Sequence, residues 1–388
     1  MISAREPSTG RSHRTDRIPE MGIVRDFVLV THTRWSEAPR IRHQMARLIA
    51  GAGHRVLFIE RADGALTRVA AGAREVEPRI FVTRTKRLLH HQLRVIAPLD
   101  WANAAVVRPA LARQVRESGF APDATIINFT HDYDFLRADF PSSEVITIIH
   151  DDFEAQTKIP GFGHVTRMLR NTCRASDKVL ALSNVLCRRL SQWAPAELFY
   201  PWSTIPYRAP GGNVACKDTL LFWGFIGLGL DTDAVRRIAS RLAVTRPEMR
   251  ILLVGPTQAP IRRSRVTSQL DGLPNVSFQD ETPLDRLPID RVLAALIPYR
   301  RKGDMNAVEL PNKALQLLAH GLPIVKTGMP NAVAAPFIMS VDDDAALDTA
   351  MDACRREFSE WQAQIQTFLA RHTADARLAA LGISPAGR

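Results

Sequence analysis

The residues best placed to do chemistry in this 388-residue sequence gather around a lysine at the start of a short apolar helix. The stretch Glu309-Leu-Pro-Asn-Lys-Ala-Leu-Gln316, running on to Val325, reads as a loop, a helix and a buried strand. Pro311 suits a helix start, where its missing N–H would have no partner. Leu315, Leu318 and Ala319 make one apolar face, and Gly321 and Pro323 end the helix. Glu309, Asn312 and Lys313 are thereby carried at a helix N-terminus, where free N–H groups, the helix dipole and an ammonium together suit an anion, best a phosphate. Gln316 follows one turn later on the same side and offers a neutral amide. An isolated Pro-Asn-Lys is more often an ordinary capped surface helix, so the surrounding chain has to carry the case.

Two further stretches supply that context. Gly224-Phe-Ile-Gly227-Leu-Gly229 follows an apolar run and precedes a helix capped by Asp231; such a turn lets backbone approach a diphosphate or a sugar. Its G-x-x-G-x-G spacing is not a dinucleotide fingerprint. Tyr299-Arg300-Arg301-Lys302 follows another apolar run and adds cationic groups suited to a diphosphate. On the other half of the chain, Asp151 and Asp152 follow an apolar run, as do His131 and Asp132, while His32 and Arg34 lie in the polar loop after the first one. A carboxylate at such a strand end can serve as a general base, although capping or a turn is the commoner role of any single one. No third ligand accompanies the Asp151-Asp152 pair, so no metal is expected.

These side chains need strands to present them. Buried strands are predicted over 27–31, 56–60, 125–129, 145–149 and 178–183, with helices over 39–50, 165–175 and 184–193. After a Pro/Gly-rich, non-periodic segment the plan restarts, with strands over 220–223, 251–255, 275–278 and 292–298. Alternating strands and helices imply parallel sheets with right-handed crossovers. The expected organisation is a disordered tail over 1–22, a Rossmann-like domain over 23–200, a linker over 201–218 and a second Rossmann-like domain over 219–345. Final helices over 346–388, with Trp361 and Phe368, are expected to pack back across the domains.

Composition bounds the function. Lys+Arg 51 against Asp+Glu 40 gives a net charge of +11, favouring anionic partners, but the arginines are scattered and no nucleic-acid motif is present. The four cysteines have no metal-ligand spacing and read as reduced thiols of a cytoplasmic protein. No run approaches the roughly 20 apolar residues that a membrane span needs. Residues 84–119 interleave Arg84, Lys86, Arg87, Arg94, Arg108, Arg113 and Arg116 with apolar residues and Trp101. Such a segment can lie on an anionic bilayer at the inner face of the plasma membrane; two ordinary surface helices are the competing expectation.

The order of these features resembles the GT-B glycosyltransferases, α/β proteins with two Rossmann-like domains facing across a cleft. The resemblance rests most on Ile297-Pro-Tyr-Arg300 followed by Pro311-Asn-Lys-Ala-Leu-Gln316 and the Gly321-Leu-Pro-Ile-Val325 stretch. It implies a nucleotide diphosphate sugar as co-substrate, with no other cofactor, bound by the second domain. Lys313 would meet the diphosphate and Gln316 the ribose or sugar, with Gly224, Gly227, Tyr299, Arg300, Glu309 and Asn312 around them. Asp151 would be the acceptor base, among acceptor-side residues His32, Arg34, His131, Asp132 and Asp152. The retaining members carry a second Glu on this helix; here Gln316 stands at that place, as in the xanthan-type inverting glucuronosyltransferases that the chain also resembles. The resemblance therefore implies metal-independent, inverting transfer from a nucleotide sugar, with UDP the expected nucleotide. The acceptor is a hydroxyl of a glycan, lipid-linked or small molecule. A nucleotide-sugar epimerase or a non-catalytic scaffold of the same fold is the alternative.

Overall fold

A computed structural model describes residues 23–227, 229–256, 266 and 268–386; the expected tail over 1–22 lies outside the described residues. The first half is built on β1 (Asp26–Val30), α1 (Ile41–Gly51), β2 (Arg55–Ile59), the two-residue β3 (Asp63–Gly64), β4 (Arg74–Glu77), β5 (Ile80–Thr83) and β6 (Lys86–Arg87). It continues through α2 (Ala97–Glu117), β7 (Thr125–Asn128), α3 (Leu136–Asp139), β8 (Val145–Ile149), α4 (His164–Arg174), β9 (Lys178–Ala181), α5 (Asn184–Leu190) and β10 (Ala196–Leu198). Its sheet has the order β10-β9-β8-β7-β1-β2-β5-β4, parallel except for the β4–β5 pair. The strands read as unbroken apolar runs because both faces are covered. Phe27 and Leu29 of β1 join the core under α1, while Val28 and Val30 join the core under α2.

The second half holds β11 (Thr219–Trp223), α6 (Thr232–Thr245), β12 (Arg250–Val254), β13 (Val276–Gln279), β14 (Val292–Pro298), α7 (Asn312–Ala319), β15 (Ile324–Thr327) and β16 (Ile338–Ser340). The chain ends on α8 (Asp344–Ala370) and α9 (Ala374–Ala380). The sheet order is β13-β12-β11-β14-β15-β16, parallel throughout. In both sheets the chain reverses its direction of growth beside the first strand, between β1 and β7 and between β11 and β14. The carboxyl ends of those pairs open crevices that bind ligands in open α/β sheets.

Two expectations need correction. Residues 97–117 form a single helix, carried through Pro109, in place of two. Trp361 and Phe368 do not bridge the halves: Trp361 is buried in the second core and Phe368 packs on Phe337. The return is made one element later, where Leu378, Leu381 and Ile383 enter the first core. The residues around 201–208 are anchored on both sides, with Trp202 buried in the first core and Ile205 and Tyr207 against the second.

Candidate functional site

On the second sheet, β11 and β12 are each followed directly by a glycine with positive φ: Gly224 at 138° and Gly255 at 152°. A Cβ on Gly255 would lie 1.8 Å from the Gly224 carbonyl oxygen, so two strand ends touch where no side chain fits. A Cβ on Gly224 would lie 2.8 Å from Lys313 Nζ. The start of α7 thus lays the Lys313 ammonium over the turn after β11. The ammonium sits 4.4 Å from the centre of the Phe222 ring and 4.9 Å from that of Tyr299. Two ring faces hold a cation without neutralising it. Beside it, Asn312 Oδ1 is buried without a hydrogen-bond partner. Arg300 donates to Leu230 O at 3.2 Å and to Thr232 Oγ1 at 3.3 Å, which sets its guanidinium at the start of α6. Gly227 is buried in the turn between β11 and α6. Lys313, Gly224 and Tyr299 come together at the β11–β14 crevice, and Arg300 reaches the α6 end of it.

Glu309 and Gln316 face elsewhere. The Glu309 carboxylate accepts from Asn184 N at 3.0 Å, Val185 N at 3.1 Å, Asn184 Nδ2 at 3.0 Å and Tyr200 OH at 2.6 Å. It caps α5 of the opposite half, and its lone pairs are used by that contact. Burial alone would raise its carboxyl, but the Tyr200 hydroxyl and the α5 donors hold it below the ordinary value. Gln316 accepts from Thr204 Oγ1 at 2.9 Å and donates to Trp202 O at 3.4 Å, pinning the chain crossing to α7. Both therefore join the halves in this arrangement and do not present free groups to a donor. Close by, Ala307 of the turn after β14 is buried among Ile149, Leu169 and other residues of the first half.

On the first sheet, β8 delivers His150 and Asp151. The Asp151 side chain is 46% exposed, its Oδ2 3.1 Å from His150 Nε2, while the His150 side chain is buried. Arg42, from the first turn of α1, contacts His150 Nε2. Burial would raise the Asp151 carboxyl, but His150 and Arg42 keep it below the ordinary carboxylate range. Burial also lowers His150, with Arg42 adding to the effect, and brings Arg42 down to about 10. The outcome is an accessible carboxylate kept ionised beside His150 and Arg42. Asp152 is different: it is buried, paired with Arg189 at 2.6 Å and caps Ala155 N at 3.1 Å. It fixes the loop, which corrects its expected acceptor-side role. Arg34 is held by Asp63 at 3.1 Å.

His32 and Asp132 meet at the β1–β7 crevice, Nε2 to Oδ1 at 2.7 Å. Arg94 takes the other Asp132 oxygen and approaches Asp100 at 3.5 Å; Arg167 completes the row at 2.6 Å from Asp100. Burial opposes ionisation of Asp132, but His32 and Arg94 hold its carboxyl well below the usual range. His91 stacks on His32 with ring centres 5.7 Å apart, and His131 meets His91 edge-on at 4.8 Å and Phe153 face-on at 4.3 Å. Burial pushes His91 down to about 2 and His131 to about 3. Sequence reasoning missed Arg42, His91 and Arg94. Arg42 is one arginine among several in its helix. His91 and Arg94 lie in the 84–119 segment expected at the surface. The adjacent pair His90-His91 was the one signal there, an imidazole pair inside an arginine-rich run.

No protein-family model matches the chain, and no curated protein matches it in sequence. Its architecture is nonetheless that of solved glycosyltransferase structures. Trehalose 6-phosphate synthase from Burkholderia multivorans superposes with a TM-score of 0.60 at 10% identity, over 93% of this chain and 98% of that one. Anabaena HepE, solved with UDP and glucose, gives 0.62 at 14% identity over 92% and 98%. The lipopolysaccharide outer core galactosyltransferase WaaB gives 0.60 at 12% identity over the same shares. The chain has the GT-B fold.

Proposed function

We propose that this chain transfers a sugar from a UDP-sugar to a hydroxyl group, with inversion and without a divalent ion on the diphosphate. The observation that carries the proposal is the Lys313 ammonium, held by two ring faces over the Gly224 turn, with no carboxylate paired to it among the described residues. A cation placed that way lacks a counter-ion and meets a leaving diphosphate at a helix N-terminus. The uridine nucleotide is supported by the Anabaena protein, which was solved with UDP and with UDP-glucose. In the transfer the acceptor oxygen attacks the anomeric carbon, the bond from that carbon to the diphosphate breaks, and the hydroxyl proton passes to Asp151. UDP leaves with the bonding electrons, its charge met by Lys313, Arg300 and the helix starts. Asp151 is suited to the step because it is ionised and half-exposed at a sheet end.

The acceptor is a glycan, a lipid-linked sugar or a small molecule, and a lipid-linked one has a feature in its favour. Leu88, Leu93, Ile96 and Trp101, the last 70% exposed, lie bare on the first half, as does Phe162. The Gln92 side chain ties the two segments together through Lys158 N at 2.9 Å. Within this segment Arg94 is buried, and Arg108 and Arg113 are paired with Asp139 and Glu117. An exposed apolar patch on a chain of net positive charge fits peripheral contact with an anionic bilayer at its cytoplasmic face. No helix among the described residues is long and apolar enough to cross a membrane. Titration of the protein with UDP, UDP-sugars and other nucleotides in the presence of EDTA tests the proposal; saturable uridine-specific binding is expected, and binding that requires a divalent ion would refute the metal-free diphosphate site.

A further inference from the structure

We propose that His32, His91 and Asp132 form a binding site for a divalent transition-metal ion of the zinc class, on the first domain and apart from the diphosphate site. Three separate segments bring these side chains together: the loop after β1, the turn His91–Leu93 and the loop after β7. One nitrogen of each histidine and one carboxylate oxygen lie within 4.8 Å of one another. Bonds of about 2.0–2.2 Å to nitrogen and oxygen then need only small side-chain rotations to close on one ion. Two imidazoles and one carboxylate favour zinc, cobalt, nickel or iron(II) over magnesium or calcium.

Three surrounding features support an ion there. The second oxygen of Asp132 is fixed by Arg94, the hydrogen-bonded arrangement common for a ligating carboxylate, and Arg94 is itself balanced by Asp100. The close pair of His32 Nε2 and Asp132 Oδ1, at 2.7 Å, lets a metal take the place of the shared proton. Finally, imidazole nitrogens without hydrogen-bond partners crowd the spot: Nδ1 of His32, Nδ1 of His91, and both nitrogens of His131, which is 1% exposed. Buried polar atoms are rarely left unpaired, and such a group of them marks a polar space built for an occupant. With three protein ligands the ion keeps an open position, the hallmark of a site that binds a further oxygen or nitrogen donor. His32 is partly exposed, so the cluster is open to solvent.

Cobalt(II) is the probe. The full-length protein, stripped with EDTA and dialysed, is titrated with cobalt chloride while the visible d–d bands are followed, with no nucleotide present. The expected result is a saturable spectrum at one equivalent, displaced by zinc. His91→Ala and His32→Ala, made separately and checked for an unchanged circular dichroism spectrum, each weaken binding by about 100-fold or more. His320→Ala, in the second half, leaves it unchanged. Absence of a saturable spectrum, or the same spectrum in both variants, overturns the site and means that water alone satisfies these imidazoles. Because no nucleotide takes part, failure here leaves the sugar-transfer proposal untouched, and failure of that proposal leaves this site standing.

Discussion

Removing the Lys313 ammonium should separate donor binding from folding. The amine has no paired carboxylate among the described residues, so Lys313→Ala strands no buried partner charge. What the free protein loses is contact with the faces of Phe222 and Tyr299, at 4.4 and 4.9 Å. Each cation–π contact of this partly shielded kind is worth about 0.5–1 kcal/mol, so unliganded stability should fall by no more than about 2 kcal/mol. UDP loses a charge-assisted hydrogen bond worth about 1.5–3 kcal/mol, which corresponds to a Kd roughly 10- to 150-fold weaker. Isothermal titration with UDP reads the second effect and urea unfolding the first. Gly224→Ala makes an internal comparison. Its Cβ would come within 2.8 Å of Nζ and push the flexible amine aside without deleting it, so its loss should fall between wild type and Lys313→Ala. UDP affinity within threefold of wild type in Lys313→Ala, with folding intact, would refute the placement of the diphosphate.

Other expectations follow from the same geometry. Asp151→Asn should lower kcat by about 10²–10⁴ with UDP affinity unchanged, as loss of a general base does; turnover close to wild type would remove Asp151 from the reaction. Gly255→Ala, whose Cβ would lie 1.8 Å from a backbone oxygen that cannot yield, should unfold at much lower urea than Gly224→Ala; equal midpoints would contradict the close strand ends. Glu309→Ala leaves the α5 donors and the Tyr200 hydroxyl without their acceptor and should cost about 1–3 kcal/mol in urea unfolding. Because the folded-state value of Glu309 lies below its ordinary 4.5, its contribution is complete above that pH and is lost as pH falls through the lower folded value. Acidification below about pH 4.5 should therefore narrow the stability gap between wild type and Glu309→Ala; a gap constant with pH would discount the carboxylate. Trp101→Ala with Phe162→Ala should reduce co-sedimentation with phosphatidylglycerol vesicles and leave UDP binding unchanged; undiminished sedimentation would rule out this patch as the contact.

Parallel strands buried on both faces write themselves as short apolar runs, so the central strands of both sheets, the restart after the Pro/Gly-rich segment and the GT-B plan are legible in the sequence, whereas the outer strands β4, β5, β10 and β16, short and partly exposed, are not. So is the placement of Lys313, because a proline, a helix and a glycine in close succession fix which end of the helix points outward. Lone carboxylates at strand ends are legible as places but not as roles. Asp151 and Asp152 are neighbours with the same local pattern, yet one is half-exposed beside His150 and the other is closed by Arg189. Only packing decides this, because adjacent side chains point apart and the partner comes from a helix distant in sequence. Glu309 and Gln316 show the same limit: their helical positions are local facts, while Asn184, Tyr200 and Thr204 reach them across more than a hundred residues. The His32–His91–Asp132 cluster is the extreme case. Each member is unremarkable in its own stretch, and the crevice beside β1 exists only once strand order sets β7 next to β1 and draws the His91 turn over both. Periodicity and turn chemistry act over a few residues and fix the elements; charge pairing and ligand convergence act through space, and the tertiary fold alone supplies them.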